Sequence, residues 1–187
     1  MASIRAKELR EVDLSLKNPR KAGVMALFYP DNARRTSIIL LLRRKYEGIH
    51  SNQVGFPGGK MEKEDADIRI TALRETQEEV GVSPEKINVV RALTTLYVPP
   101  SNFLVHPFFG ISEETPLFIP QEKEVAKLIE VPLENILDDK LVARKTIVTS
   151  YATNVDVPYF DFHGYTVWGA TAAMLSEVKD LLAMAMD

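Results

Sequence analysis

Seven consecutive residues, Thr36-Ser37-Ile38-Ile39-Leu40-Leu41-Leu42, form a nearly unbroken β-branched and leucine run. A strand with one wet face alternates apolar and polar residues, whereas a strand covered on both faces reads as a continuous apolar run. The run therefore predicts a central strand with a packed layer on each side. Around it, strand patterns cover residues 22–29, 54–56, 87–97, 103–112, 141–151 and 155–162. Helical spacing covers residues 3–13, 65–80, 121–130 and 165–186. Strands mixed with helices define an α/β or α+β class, with a helix on each side of a sheet. At 187 residues the chain suits one domain with a real core. Residues 1–21 are expected as an N-terminal extension and 165–186 as a last helix packed on the domain.

The chain has no cysteine, which excludes disulfides, thiolate nucleophiles and cysteine zinc sites. No apolar run approaches the roughly 18 residues of a membrane span, and the first residues lack a signal-type apolar segment, so a cytoplasmic location is expected. Net charge is −3, but it is segregated. Residues 1–60 hold 12 Lys/Arg against 5 Asp/Glu, and the remainder holds 11 against 21. A basic half beside an acidic half suits an anionic ligand held against a metal-binding acidic helix. Nucleic acid is not expected as a partner, because the chain is acidic overall and lacks a basic aromatic pattern.

The acidity concentrates in Arg74-Glu75-Thr76-Gln77-Glu78-Glu79-Val80-Gly81-Val82, fifteen residues after the Gly58-Gly59 pair. On a helix, Glu75, Glu78 and Glu79 fall within a sector of about 100°. Ala66, Ile70, Leu73 and Val80 share the opposite, apolar face, and Gly81 with Pro84 ends the helix. Like charges four apart repel unless a cation sits between them. Hard divalent ions prefer such oxygen donors and commonly act on phosphates. The pattern predicts a magnesium-type site.

This stretch resembles the Nudix hydrolase box, G-x5-E-x7-R-E-U-x-E-E-x-G-U, where U is a bulky aliphatic residue. Arg74, Glu75, Glu78, Glu79, Gly81 and Val82 match. Thr76 stands where an aliphatic residue is usual. The segment between Gly59 and Arg74 is one residue longer than the standard box, leaving its early acidic position open among Glu64, Asp65 and Asp67. That longer form, with Leu40-Leu41-Leu42-Arg43-Arg44, His50 and Gln53-Val54-Gly55-Phe56-Pro57-Gly58-Gly59, resembles the coenzyme A pyrophosphatase branch. Asn52 replaces a usual glycine there, a mild change because Asn also tolerates positive φ. Ser101-Asn102-Phe103-Leu104-Val105 and Trp168-Gly169-Ala170-Thr171 extend the likeness to about residues 22–175.

The resemblance implies an α/β/α sandwich with a mixed central sheet, acting as a pyrophosphohydrolase on coenzyme A or acyl-coenzyme A. The same metal site would serve ADP-ribose, NADH or another nucleotide derivative, and a silent nucleotide-binding domain is the rival of another class. Glu75, Glu78, Glu79 and the Gly59 carbonyl would hold Mg²⁺ or Mn²⁺. Arg74 would orient a helix glutamate. Glu124, expected on the helix over 121–130, would be a further ligand or the base. Arg44, His50, Arg35 and Phe56 are the candidate substrate contacts, drawn partly from the basic set Arg34, Arg35, Arg43, Arg44 and Lys45. His106, His163 and Trp168 are read as structural. The partner is thus a small nucleotide, and the protein a monomer or homodimer.

Overall fold

The computed structural model describes residues 17–45, 47, 50–147 and 154–186; the helix expected over 3–13 lies outside them. The sheet is organised around β1 (Arg20–Pro30). One end of β1 pairs antiparallel with β2 (Thr36–Arg43), through Phe28↔Ile38. Its other end pairs antiparallel with β4 (Gly58–Lys60), through Ala22↔Lys60 and Val24↔Gly58. Along its length β1 runs parallel to β7 (Phe103–Ile111), from Arg20↔Phe103 to Phe28↔Ile111. β3 (Val54–Gly55) and β8 (Val125–Pro132) add to β2, while β5 (Asn88–Ala92) and β6 (Leu96–Val98) add to β7. The result is one mixed eight-stranded sheet. A second, antiparallel sheet holds β9 (Val142–Ile147), β10 (Val155–Phe162) and β11 (Tyr165–Trp168). The helices are α1 (Ile68–Val80), α2 (Leu133–Leu137) and α3 (Gly169–Met186).

The continuous apolar run acts as a strand covered on both sides. Ile39 and Leu41 of β2, with Met25, Leu27 and Tyr29 of β1, pack on Ala72, Leu73 and Val80 of α1. The alternate residues Ile38, Leu40, Ala26 and Phe28 meet Phe160, Phe162 and Val167 of the small sheet and Leu175 and Val178 of α3. Each fully buried side chain of this size contributes about 1.5–3 kcal/mol. The central sheet is thus sandwiched between α1 and a layer made of α3 and the small sheet.

Several sequence expectations change. The helix expected from residue 65 begins at Ile68, because Asp67 accepts the Ile70 N–H at 2.9 Å as N-cap. Ala66 is therefore outside the helix and exposed. Gly81 ends α1 with φ +80 and donates its N–H to Gln77 O, a left-handed cap that favours glycine. The helix expected over 121–130 is instead a turn followed by β8. The Glu/Lys-rich sequence is overridden by pairing with β2, which buries Val125, Ile129 and Val131. Residues 165–168, expected as helix, form β11, turned back on β10 at His163-Gly164, both at positive φ. The strand expected over 87–97 breaks at 93–95, where Leu93 N donates to Pro107 O and Thr94 N to Glu177 of α3. Arg20 and Lys21, expected in the extension, are the first residues of β1. Among the described residues no helix is long and apolar enough to cross a membrane.

Candidate active site

Two arginines hold the acidic helix. Arg74 donates through Nε and NH2 to both oxygens of Asp65, at 2.9 and 3.0 Å. Its NH1 reaches Glu75 at 3.0 Å and Glu78 at 3.1 Å, and NH2 reaches the Lys60 carbonyl at 3.2 Å. A planar guanidinium suits such a fork. Asp65 is buried and also accepts from Thr71 Oγ1 and Glu62 N. Arg74, then the hydrogen bonds from Glu62 N and Thr71, holds its carboxyl well below the usual carboxylate range against the opposing effect of burial. Of the three open positions, then, Asp65 meets the arginine, Asp67 caps the helix and Glu64 is exposed. The cation that the crowded glutamates require is, in part, the arginine of their own helix.

The second is Arg43. Glu79, at one edge of that glutamate sector, is only 2% exposed. Its Oε1 accepts from Arg43 NH1 at 3.1 Å and its Oε2 from Gly58 N at 2.8 Å. Arg43 NH2 continues to the Gly58 carbonyl at 2.8 Å. Burial pushes the Glu79 carboxyl up to about 7, and Glu75 and Glu124 push the same way, while Arg43 and Gly58 N–H oppose them. Glu75 is likewise raised, first by burial, against the pull of Arg74 and with a push from Glu78 and Glu124.

The Gly-Gly pair has a steric reason. A Cβ on Gly59 would lie 2.5 Å from the Glu75 carboxylate, so only glycine lets β4 and this side chain approach so closely. Thr76 occupies its aliphatic position fully buried, its hydroxyl donating to Ala72 O at 2.6 Å. Asn52 does adopt positive φ, +56°.

Glu75, Glu79, Glu124, Arg43, His50 and Phe56 line one cleft of about 380 Å³, together with Gly58, Gly59 and Lys60. Glu124 arrives from a turn rather than a helix. That turn is tied to the end of α1 by main-chain bonds, Ile119 N to Val80 O at 2.9 Å and Gln121 N to Glu79 O at 3.0 Å. His50 Nδ1 lies 3.2 Å from Gln53 Oε1. Glu78 is 56% exposed on its side chain and stays outside the cleft wall, held by Arg74.

Two expected contacts are placed elsewhere. Arg44 is exposed and meets this region only through its backbone N, which donates to Glu124 O at 2.7 Å. Arg35 sits in the β1–β2 turn, at the other end of β1, paired with Asp31 at 2.9 Å and facing Glu134 at 3.7 Å in a separate cavity. The arginine that does reach the carboxylates, Arg43, could have been found by strand alternation. Ile39 and Leu41 face α1, so the next residue on that face is Arg43, not Arg44. His106 and His163 sit apart from the cleft wall, on β7 and in the β10–β11 turn. Trp168 lines the cleft instead of filling the core.

The donor set fits a hard divalent ion: oxygen donors only, gathered in one partly desolvated cleft where the carboxyls of Glu75 and Glu79 are raised first by burial and then by their acidic neighbours. Among the described residues these carboxylates line the cleft without forming a closed ligand set.

A mixed sheet between α1 and α3, with glutamates of one helix meeting a Gly-Gly strand, agrees with what comparison with known proteins finds. The NUDIX domain matches residues 19–151, and the chain belongs to the Nudix family, as a Nudix pyrophosphohydrolase. Hydrolases of this family generally need divalent metal ions. The chain is 30% identical over 169 residues to the peroxisomal coenzyme A diphosphatase ndx-8 of Caenorhabditis elegans, covering 89% of this chain and 70% of that protein. It is 33% identical over 172 residues to the uncharacterized Nudix hydrolase NudL of Pectobacterium atrosepticum, covering 88% and 85% respectively. A solved Nudix hydrolase from M. smegmatis, RenU, shares the fold with a TM-score of 0.60 at 13% identity, over 89% of this chain and 87% of that one.

Proposed function

We propose that this protein hydrolyses the diphosphate of coenzyme A or acyl-coenzyme A, giving adenosine 3′,5′-bisphosphate and 4′-phosphopantetheine or its acyl form, with Mg²⁺ or Mn²⁺. The observation that carries the reaction is the meeting of Glu75, Glu79 and Glu124 in one cleft beside Gly59. Likeness to a coenzyme A diphosphatase over most of the chain supports the substrate.

In this reading Glu75, Glu78 and Glu79 would hold the ion, with the Gly59 carbonyl as a further donor. A bound divalent ion supplies neutralisation of the diphosphate charge and a more acidic water. Arg43 fixes the rotamer of Glu79 against Gly58, and Asp65 fixes Arg74, so both arginines are positioning residues. Glu124, at the cleft but outside α1, takes the proton of the attacking water. That water's oxygen bonds one phosphorus, the bridging P–O bond breaks, and its electron pair leaves with the other phosphate. His50 and Phe56, in the cleft wall, contact the substrate.

The test is incubation of the purified protein and Mg²⁺ or Mn²⁺ with coenzyme A, ADP-ribose, NADH and ATP, with products identified by mass. Cleavage of coenzyme A into adenosine 3′,5′-bisphosphate and 4′-phosphopantetheine is expected. Fast cleavage of ADP-ribose with coenzyme A left intact would sink the substrate assignment.

A further inference from the structure

Of the basic set Arg34, Arg35, Arg43, Arg44 and Lys45, Arg43 alone lines the cleft, and it is engaged with Glu79. The cleft nevertheless has a basic mouth. Residues directly opposite in paired strands share a face, so Ala22↔Lys60, Arg20↔Phe103 and Ala22↔Val105 place Arg20, Ala22, Lys60, Phe103 and Val105 on one face of the sheet. Ala22, Lys60, Phe103 and Val105 all line the cleft. Arg20 is fixed beside them, its guanidinium 4.2 Å from the centre of the Phe103 ring and its NH2 donating to Ser101 O at 2.9 Å. Diagonal neighbours on one face of a sheet stand about 7–8 Å apart, so the long side chains of Arg20 and Lys60 are within reach of one phosphate. Among the described residues neither has an ion-pair partner, whereas Arg35, Arg43, Arg74 and Arg144 all do.

Inward from this mouth the wall is apolar, formed by Val98, Val105, Trp168 and Met174 between the sheet and the start of α3. An apolar stretch of wall beside two cations that have no ion-pair partner among the described residues suits a purine whose ribose carries a phosphate. It suits an uncharged aliphatic arm less well, since such an arm leaves both cations without a counter-charge.

We infer that this part of the cleft receives the adenosine arm of the substrate, and that Arg20 and Lys60 bind the ribose 3′-phosphate and select for it. This rests on the coenzyme A reading but is tested separately from it. The probes are adenosine 3′,5′-bisphosphate and AMP, which differ only in that phosphate, titrated calorimetrically into the wild-type protein and into Arg20→Gln, Lys60→Gln and the double variant. Wild type is expected to bind the bisphosphate at least about 10-fold more tightly than AMP, as for a charge-assisted pair of contacts. In the double variant the ratio falls to within about twofold, with the single variants between. Both side chains are exposed, so the variants keep the fold. Equal affinities in wild type, or a ratio unchanged in the double variant, would overturn the subsite. So would variants that weaken inhibition by 4′-phosphopantetheine instead, because that outcome puts the other arm at the mouth. Turnover of coenzyme A against dephospho-coenzyme A gives a parallel kcat/KM ratio that collapses in the double variant. Failure to cleave coenzyme A refutes the substrate, while the bisphosphate-to-AMP ratio still decides the subsite.

Discussion

Glu78 and Glu79 are chain neighbours with opposite surroundings, one open to solvent on its side chain and the other 2% exposed between an arginine and a main-chain N–H. Glu79→Gln keeps the shape but removes the charge, and is expected to lower kcat about 10²–10⁴-fold with an unchanged circular dichroism spectrum. Full activity in that variant would remove Glu79 from the site. Asp65 acts one step back, through Arg74. Asp65→Asn is expected to lower metal affinity or kcat about 10–100-fold, the range for residues that orient a ligand, as read by metal titration and initial rates. The same pair has a pH signature. The folded carboxyl of Asp65 is depressed, so its stabilisation is fully present above the ordinary aspartate value near pH ~3.9 and is lost as pH falls below it. The stability gap between wild type and Asp65→Asn, measured by urea unfolding, should hold steady from neutral pH to about pH 4 and then narrow. A gap that widened on acidification would contradict the Arg74 pairing.

At the scale of elements, α1 depends on its ends. Gly81 sits at φ +80, and a Cβ there would also meet Ile119 at 2.8 Å. Gly81→Ala is expected to destabilise the protein by about 1–2 kcal/mol, measured as a shifted denaturation midpoint. What was legible in the sequence follows the same division. The doubly buried β2, α1 with its terminal glycine and the β9–β10 pair were written in period and turn residues, whereas Gly58-Gly59 lay beyond the strand expected over 54–56 and becomes β4 only by pairing with β1. β8 was not, because Lys127 and Glu130 mimic a charged helix and only pairing with β2 distinguishes them. β11 was missed because four residues flowing into a long apolar helix carry no boundary signal until the His163-Gly164 turn is recognised. Within the site, the helix glutamates and Arg74 were legible by spacing. Arg43 follows from alternation past Ile39 and Leu41, whereas the contacts of Asp65 and the face of Lys60 depend on how a loop and a short strand turn, and that is settled by tertiary contacts.

Over the whole molecule, acidic groups are collected where the sheet, α1 and the β8 turn meet, and their mutual repulsion is only partly offset by Arg43 and Arg74. Adding Mg²⁺ or Mn²⁺ should therefore raise the unfolding temperature, by an amount equivalent to about 2.7 kcal/mol at one hundred times the dissociation constant. A chelator should reverse it. Differential scanning calorimetry at fixed ionic strength checks this, and an absence of shift would remove the metal from the acidic cleft.

The turn that brings Glu124 to the cleft hangs from α1 by Ile119 N and Gln121 N, on the carbonyls of Val80 and Glu79. Those carbonyls belong to the helix's last turn, where acceptors lack partners within the helix. A main-chain tether is indifferent to side-chain identity. Apart from Phe118, whose ring packs edge-on against Tyr29, the stretch from 113 to 123 is therefore free to drift in composition while its far end keeps one carboxylate on station. Such a residue keeps no fixed spacing from the helix glutamates, and in distant relatives it should be sought by following the backbone past the helix stop. Proline at 119 or 121, which deletes a single N–H, is the substitution that would cut the moorings.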